Sequence, residues 1–211
     1  GVTTNTPAIA QGSPHFDFFS NPADRDAIIR WVTQVKILGD YLMPSLSLKL
    51  AAEYLERDIL VIFDNDAIET IELVSREDES DSMRVPIDPL GIGRVLANHR
   101  GPARTFPHFS LVDAYENSFS EEEEEALKDS ILLLGMTAIG INDQRPNPFD
   151  PTLDGVENHA AVLDNILSND FLERPKSIYK IELWILLIIG LVFSPIIIFS
   201  RALLSGVLVV A

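Results

Sequence analysis

No cysteine occurs among the 211 residues, which excludes disulfide staples and thiolate sites, whether for metal or for nucleophilic chemistry. Basic residues are scarce as well. Sixteen Lys and Arg stand against 32 Asp and Glu, giving a net charge of −16 and a pI of about 4.5. Such a balance argues against nucleic acid as a partner, because a phosphate backbone is repelled rather than neutralised. There is no glycine-rich loop followed by lysine, no nucleophile elbow and no internal repeat, so no cofactor is implied. The chain opens at Gly1 without a methionine or a charged leader, and the expectation is a segment of a longer protein.

Apolar residues are abundant but unevenly spread. Leu183 to Ser200 reads LWILLIIGLVFSPIIIFS without a charge. At ~1.5 Å per residue this run is about 27 Å long, close to the ~30 Å hydrocarbon core of a bilayer. Trp184 lies near one end, where interfacial aromatics gather, and Pro195 is expected to kink the helix. After Arg201 a second apolar run begins. The alternative, a buried core helix, is weaker, because nothing else in so acidic a chain is available to cover it. The division expected is a soluble domain over 1–175 and a membrane region over 181–211, with one full span and a truncated second; membrane lipid is then a partner.

The soluble part centres on Ile131 to Leu167. Ile131 to Leu134 has the pattern of a strand buried on both faces. A polar loop carrying Asn142, Asp143, Pro146, Pro148 and Pro151 follows, and Gly155 starts a helix with Val156, Ala160, Leu163, Ile166 and Leu167 on one face. Earlier in the chain, His15 to Asn21 and Ile28 to Ile37 suggest a hairpin with Asp24, Arg25 and Asp26 at its tip. Ser45 starts a helix running to about Glu56. Ile59 to Phe63 and Ala67 to Val74 read as strands, Ser75 to Ser82 as a surface link, and Val85 to Asn98 as strand, turn, strand. A helix is expected from Ser110 to Glu116. The acidic run Glu121 to Glu125 reads as a solvated helix start, with Ser120 as N-cap and Glu123 completing a capping box. The fold class is mixed α/β, with helices packed on a largely buried sheet, followed by a C-terminal transmembrane helix.

In combination, several motifs resemble the type-two CHASE domain, the cyclases/histidine kinases associated sensory extracellular domain. They are Gly135-Met136-Thr137-Ala138, Gly140, Asp143, Asn147-Pro148, Gly155-Val156-Glu157 and His159-Ala160. Pro44-Ser45-Leu46-Ser47-Leu48, Ile87-Asp88 with Gly91, and Asn98-His99-Arg100-Gly101-Pro102 with Phe106 and Ser110 precede them in the family's order. Asp24, Asp26 and Arg30 are similar to its arginine-bearing aspartate segment. The resemblance covers most of Phe18 to Pro175. The chain differs from the pattern at Asn147, where threonine is usual, at Ala161, and at Ala27, which replaces a glycine.

The resemblance implies an extracytoplasmic sensor in the cytoplasmic (inner) membrane, a homodimer by expectation. Its stimulus is an unknown ligand or physical state. A cytoplasmic adenylate or guanylate cyclase, histidine kinase or serine/threonine kinase follows in the full-length chain. Asp143, Pro148, Gly155, Glu157, His159, Arg100 and Gly101 are the signature positions implied for sensing, without catalytic or metal roles. Arg174, Lys176 and Lys180 before the apolar run outnumber Arg201 after it, so the positive-inside rule alone favours the opposite topology. The resemblance nonetheless implies that the domain lies outside the membrane. The alternative is a membrane-tethered hydrolase or metal-dependent enzyme using Asp143 and His159 as an acid–base or metal pair. The plainer reading of these two is that Asp143 pins its loop and His159 packs against it.

Overall fold

A computed structural model describes residues 17–137, 144–175 and 177–210, with side chains up to residue 200. Contacts divide the chain after Glu173 into a soluble unit and a helical one. In the soluble unit the described strands are β1 (Trp31–Thr33), β2 (Val35–Leu38), β3 (Tyr41–Pro44), β4 (Arg57–Asp64), β5 (Ala67–Ser75), β6 (Ser82–Val85) and β7 (Arg94–Leu96). Its described helices are α1 (Leu46–Tyr54), α2 (Leu111–Glu116), α3 (Glu121–Leu127) and α4 (Gly155–Ser168).

The mixed α/β class stands, but the sheet is divided. Strands pair antiparallel as β1–β7, β2–β3 and β4–β5–β6. Two-residue turns close the second and third of these. Gly39, with φ +60° and Asp40 after it, suits a type II′ turn between Leu38 and Tyr41. Asn65 and Asp66, with φ of +46° and +66°, suit type I′ between Asp64 and Ala67. Both types match the twist of the strands they join.

The core lies between α1, α4 and the inner faces of the strands. Ile71, Leu73, Leu48, Val162 and Ile166 are buried there completely or nearly so. Ser45 caps α1, its hydroxyl accepting from Leu48 N at 3.1 Å, as the sequence indicates. The same hydroxyl donates to Gln34 Oε1 at 2.9 Å. Ser120 and Glu123 form the expected capping box on α3.

Three expectations are corrected. Ile28 to Ile37 is not one strand: fully buried Gln34 interrupts it, taking its backbone and amide bonds from Gly93, Ser45 and Val32. It also does not pair with the segment around Phe18, which instead bridges Ser45 in parallel register. Val85 to Asn98 does hold a strand end, a turn and a strand, with β6 joining β5 and β7 joining β1. Finally, Ile131 to Leu134 is no strand and is not buried on both faces. Ile131 packs on the core while Leu132 and Leu134 are 64% and 81% exposed. An apolar run signals burial, but a ladder also needs a free edge beside it, and this run ends against α4. A Cβ on Gly135 would stand 2.6 Å from Val156 Cβ.

The second unit is α5 (Ser177–Val210), a continuous helix with Pro195 inside it. Over Ser177–Ser200 it has a mean hydropathy of 2.6 and none of that window is buried, so it is long and apolar enough to cross a membrane. Arg174, on the basic flank, pairs with Glu182 at 2.5 Å and stacks over Tyr179, which offsets part of the local positive charge.

Candidate functional site

Two loops lie over one face of α4 and are stitched to it by polar side chains. Asn98 to Arg104 leaves the end of β7, and Arg145 to Asp154 leads into the helix. Asn147, 4% exposed, folds the second loop. Its Oδ1 accepts from Phe149 N at 2.8 Å and Asp150 N at 2.6 Å, an Asx turn that presets the entry to Pro148. Its amide then donates to Gly101 O at 3.2 Å and so ties the two loops together. Asp150 repeats the device, with one oxygen accepting from Thr152 and the other from Ala103 N at 3.1 Å. Bonds from Thr152 and Ala103 hold the Asp150 carboxyl below the usual carboxylate range.

Glu157, in the first turn of α4 and 4% exposed, accepts from Arg104 N with both oxygens at 2.8 and 3.0 Å. Arg104 takes a left-handed backbone, φ +66°, to present that N–H. His108 Nε2 lies 3.2 Å from Glu157 Oε1. Between the loops and α4 is a cleft lined by His99, Gly101, Pro102, Asn147, Leu153 and Glu157, with room for about one water molecule. A Cβ on Gly101 would meet Thr105 Oγ1 at 2.8 Å, so a side chain there displaces that hydroxyl from its bond to Pro102 O.

Arg100 sits at the other end of the helix. Its Nε donates to Asp164 at 2.6 Å, one terminal nitrogen to Asp170 at 2.6 Å, and the other to Ser168 Oγ at 3.1 Å. Asp164 and Asp170 together hold the guanidinium pKa above its ordinary value. Next to it Asn165, fully buried, forms a two-way pair with the backbone of Asn98: Asn98 N donates to Oδ1 at 2.9 Å and Nδ2 donates to Asn98 O at 3.0 Å. The chain beyond α4 then returns to β7, where Leu172 bridges Leu96 in antiparallel register.

Of the signature positions, Arg100, Gly101 and Glu157 line the cleft. Pro148 is exposed on the second loop, Gly155 begins α4, and the guanidinium of Arg100 reaches on to Asp164, Ser168 and Asp170 at the far end of the helix. His159 belongs to a different contact. It is 7% exposed, its Nε2 is 2.9 Å from Phe19 O, and its Nδ1 faces Ser47 Oγ at 3.3 Å. A carbonyl only accepts, so Nε2 carries the proton and the imidazole acts as a brace between α4, α1 and the segment at Phe19. Asp143, the other half of the acid–base pair, lies outside the described residues.

Sequence reasoning passed over Asn165 and His108. Asn165 does leave a signal, an amide on the apolar face of a helix, where an unpaired polar group is too costly to stand. His108 leaves none, because its neighbours in space come from α4. Together with Asp154 and Glu157 it makes a cluster whose three ligand atoms all lie within 4.8 Å of one another.

His99 carries a pH prediction. Its Nε2 donates to Ile29 O at 3.2 Å and its Nδ1 is buried without a partner. Burial pushes its pKa below the usual histidine value, opposed only in part by the Ile29 bond. With the folded pKa depressed, the unfolded chain binds the extra proton first. Stability is therefore full above about pH 6.5 and declines as the pH falls through the lower folded value. Urea midpoints of the chain in detergent micelles are expected to drop between pH 7.5 and pH 5. The drop should shrink in His99→Gln, which can still donate to Ile29; an equal drop in the variant would remove His99 as the cause.

The match to known proteins agrees with the motifs. The model of the CHASE2 domain covers residues 4–198, which takes in both loops, α4 and most of the apolar helix. No curated protein and no solved structure matches the chain. With nearly the whole length covered, the chain belongs to the CHASE2 domain family, whose members are sensory, non-catalytic extracellular domains of signalling receptors.

Proposed function

We propose that this chain is the extracytoplasmic sensory module of a bacterial-type receptor, held in the cytoplasmic membrane by α5. It passes its stimulus to a cytoplasmic adenylate or guanylate cyclase or a protein kinase encoded in the same full-length chain, and it works as a homodimer. The observation that supports this reading best is the way the lead-in to α5 is fastened. Leu172 bridges β7, while Arg100 and Asn98 both hold Asp170. The loop that carries Arg100 also carries Gly101 and Pro102 of the cleft. A change at the cleft therefore acts on the same loop that grips the segment running into the membrane helix. Such a relay shifts output only as far as the stimulus prefers one arrangement of the loop over another.

Topology is the first point to test, and the absence of native cysteine makes it direct. Glu79→Cys places one thiol on the exposed Ser75–Ser82 link. A membrane-impermeant maleimide is expected to label it in spheroplasts without permeabilisation. Labelling only after the membrane is opened would put the domain inside and overturn the reading. The effector is then identified from the coding sequence downstream: further apolar spans and a cyclase or kinase domain are expected there.

A further inference from the structure

The surroundings of His108 leave a place for a cation. Its Nδ1 is 2.9 Å from Phe106 O, and a carbonyl oxygen only accepts, so Nδ1 carries the proton. In the neutral ring Nε2 then has a bare lone pair. That lone pair faces Glu157 Oε1 at 3.2 Å, one acceptor against another. Asp154 joins them as a third donor atom. It stands at the N-cap of α4, with the extended backbone of a cap, yet makes no capping bond, whereas Ser45, Ser110 and Ser120 all cap their helices. Among the described residues no Lys or Arg side chain pairs with Asp154 or Glu157. The gap can be filled by a second proton on His108 or by a metal ion.

We propose that His108 Nε2, Asp154 and Glu157 bind a divalent transition-metal ion of the zinc type. Three features select it. The donor set is one imidazole and two carboxylates, which suits zinc and its neighbours better than the all-oxygen shells of calcium or magnesium. The 3.2 Å between Nε2 and Oε1 fits two donors each ~2.1 Å from one ion. The bond from Nδ1 to Phe106 O fixes the ring tautomer and its aim, as outer partners of metal-bound histidines do. Glu157 is further oriented by Arg104 N, so the ion would join the Arg104–His108 stretch to the first turn of α4. The remaining coordination positions are open to water or an external donor. This site goes beyond the sensory reading and does not depend on it.

The test is titration of Zn²⁺ into the untagged chain in detergent micelles at pH 7.5, followed by calorimetry. One ion per chain is expected, with Ca²⁺ and Mg²⁺ silent at the same concentrations. His108→Ala and Asp154→Asn are each expected to weaken binding by more than about 30-fold, while thermal unfolding without metal stays close to the parent's. Visible absorption of Co²⁺ bound to the unaltered chain reads the same site if either variant fails to fold, and a nitrogen–oxygen ligand field is expected. Absence of saturable one-to-one binding overturns the proposal. Unchanged affinity in a folded His108→Ala chain overturns it equally.

Discussion

Asn165→Ala is expected to lower the stability of the soluble unit by about 3 kcal/mol, since each buried polar group left unpaired costs ~1–3 kcal/mol. The side chain is fully buried and serves both backbone groups of Asn98 at 2.9 and 3.0 Å. Alanine removes both partners at once, opens a gap beside Ile166 and leaves the N–H and C=O of Asn98 without their side-chain partner. Asn165→Leu separates the two contributions. It restores the volume but not the bonds, so it should remain well below the parent in urea midpoint. Exchange of the Asn98 amide should quicken in both variants. A leucine chain as stable as the parent would show that volume rather than pairing holds the loop, and the fastening described for Asn98 to Asn165 would lose its energetic basis.

The same residue shows how far a single sequence can be read. Elements whose signals are local came through well. The Ser120 capping box, the helices beginning at Ser45 and Ser110, the β4 and β5 strands and the helix from Gly155 all stand where periodicity and capping chemistry put them. Pairing did not come through, because the partner of a strand is chosen by the whole fold. β1 joins β7 across more than sixty positions, and Gln34 ends β1 through a backbone bond to the distant Gly93 that no local window of sequence contains. The site follows the same division. Gly101 and Glu157 were marked by motif, but their contacts with Thr105 and Arg104 are matters of packing. His108 and Asn165 carry no local mark of their partners.

Departures from the family pattern also acquire a physical reading. Ala27 stands where the family usually has glycine, and its φ is +66°. A left-handed alanine costs about 1–2 kcal/mol, so the position asks for glycine even though this chain lacks it. The turn holds because its flanks are tied: Ala27 N donates to Asp24 O at 2.9 Å, and Arg30 pairs with both Asp26 at 2.8 Å and Asp24 at 3.3 Å. Asn147, where threonine is usual, keeps the required chemistry. Both side chains accept from backbone N–H groups two or three residues on, and asparagine adds a donor that reaches Gly101 O.

Two glycines with nearly the same backbone angle are expected to respond very differently to alanine. Gly39 has φ +60° at the exposed tip of the β2–β3 hairpin, and a Cβ there meets nothing within 4 Å. Gly39→Ala should therefore cost only the left-handed backbone, about 1 kcal/mol. Gly91 has φ +69°, but its added Cβ would lie 2.7 Å from Ala67 Cβ and 3.0 Å from Ile68 O. The second contact is with backbone that β5 holds in register, so relief requires the turn to move away. Moving it strains the bond from Ile68 N to Gly91 O at 3.0 Å and pulls on Asp88, which is 2% exposed and accepts from Ile92 N and Arg94 N. Gly91→Ala is accordingly expected to cost about 3–4 kcal/mol, the backbone strain plus the displacement of a packed turn. Because Arg94 begins β7, the strand that receives Leu172, the loss should spread to exchange protection at Leu96 and Leu172. Equal urea midpoints for the two alanine variants would mean that the turn yields freely. β7 would then be no rigid link between the cleft loop and the segment entering the membrane helix.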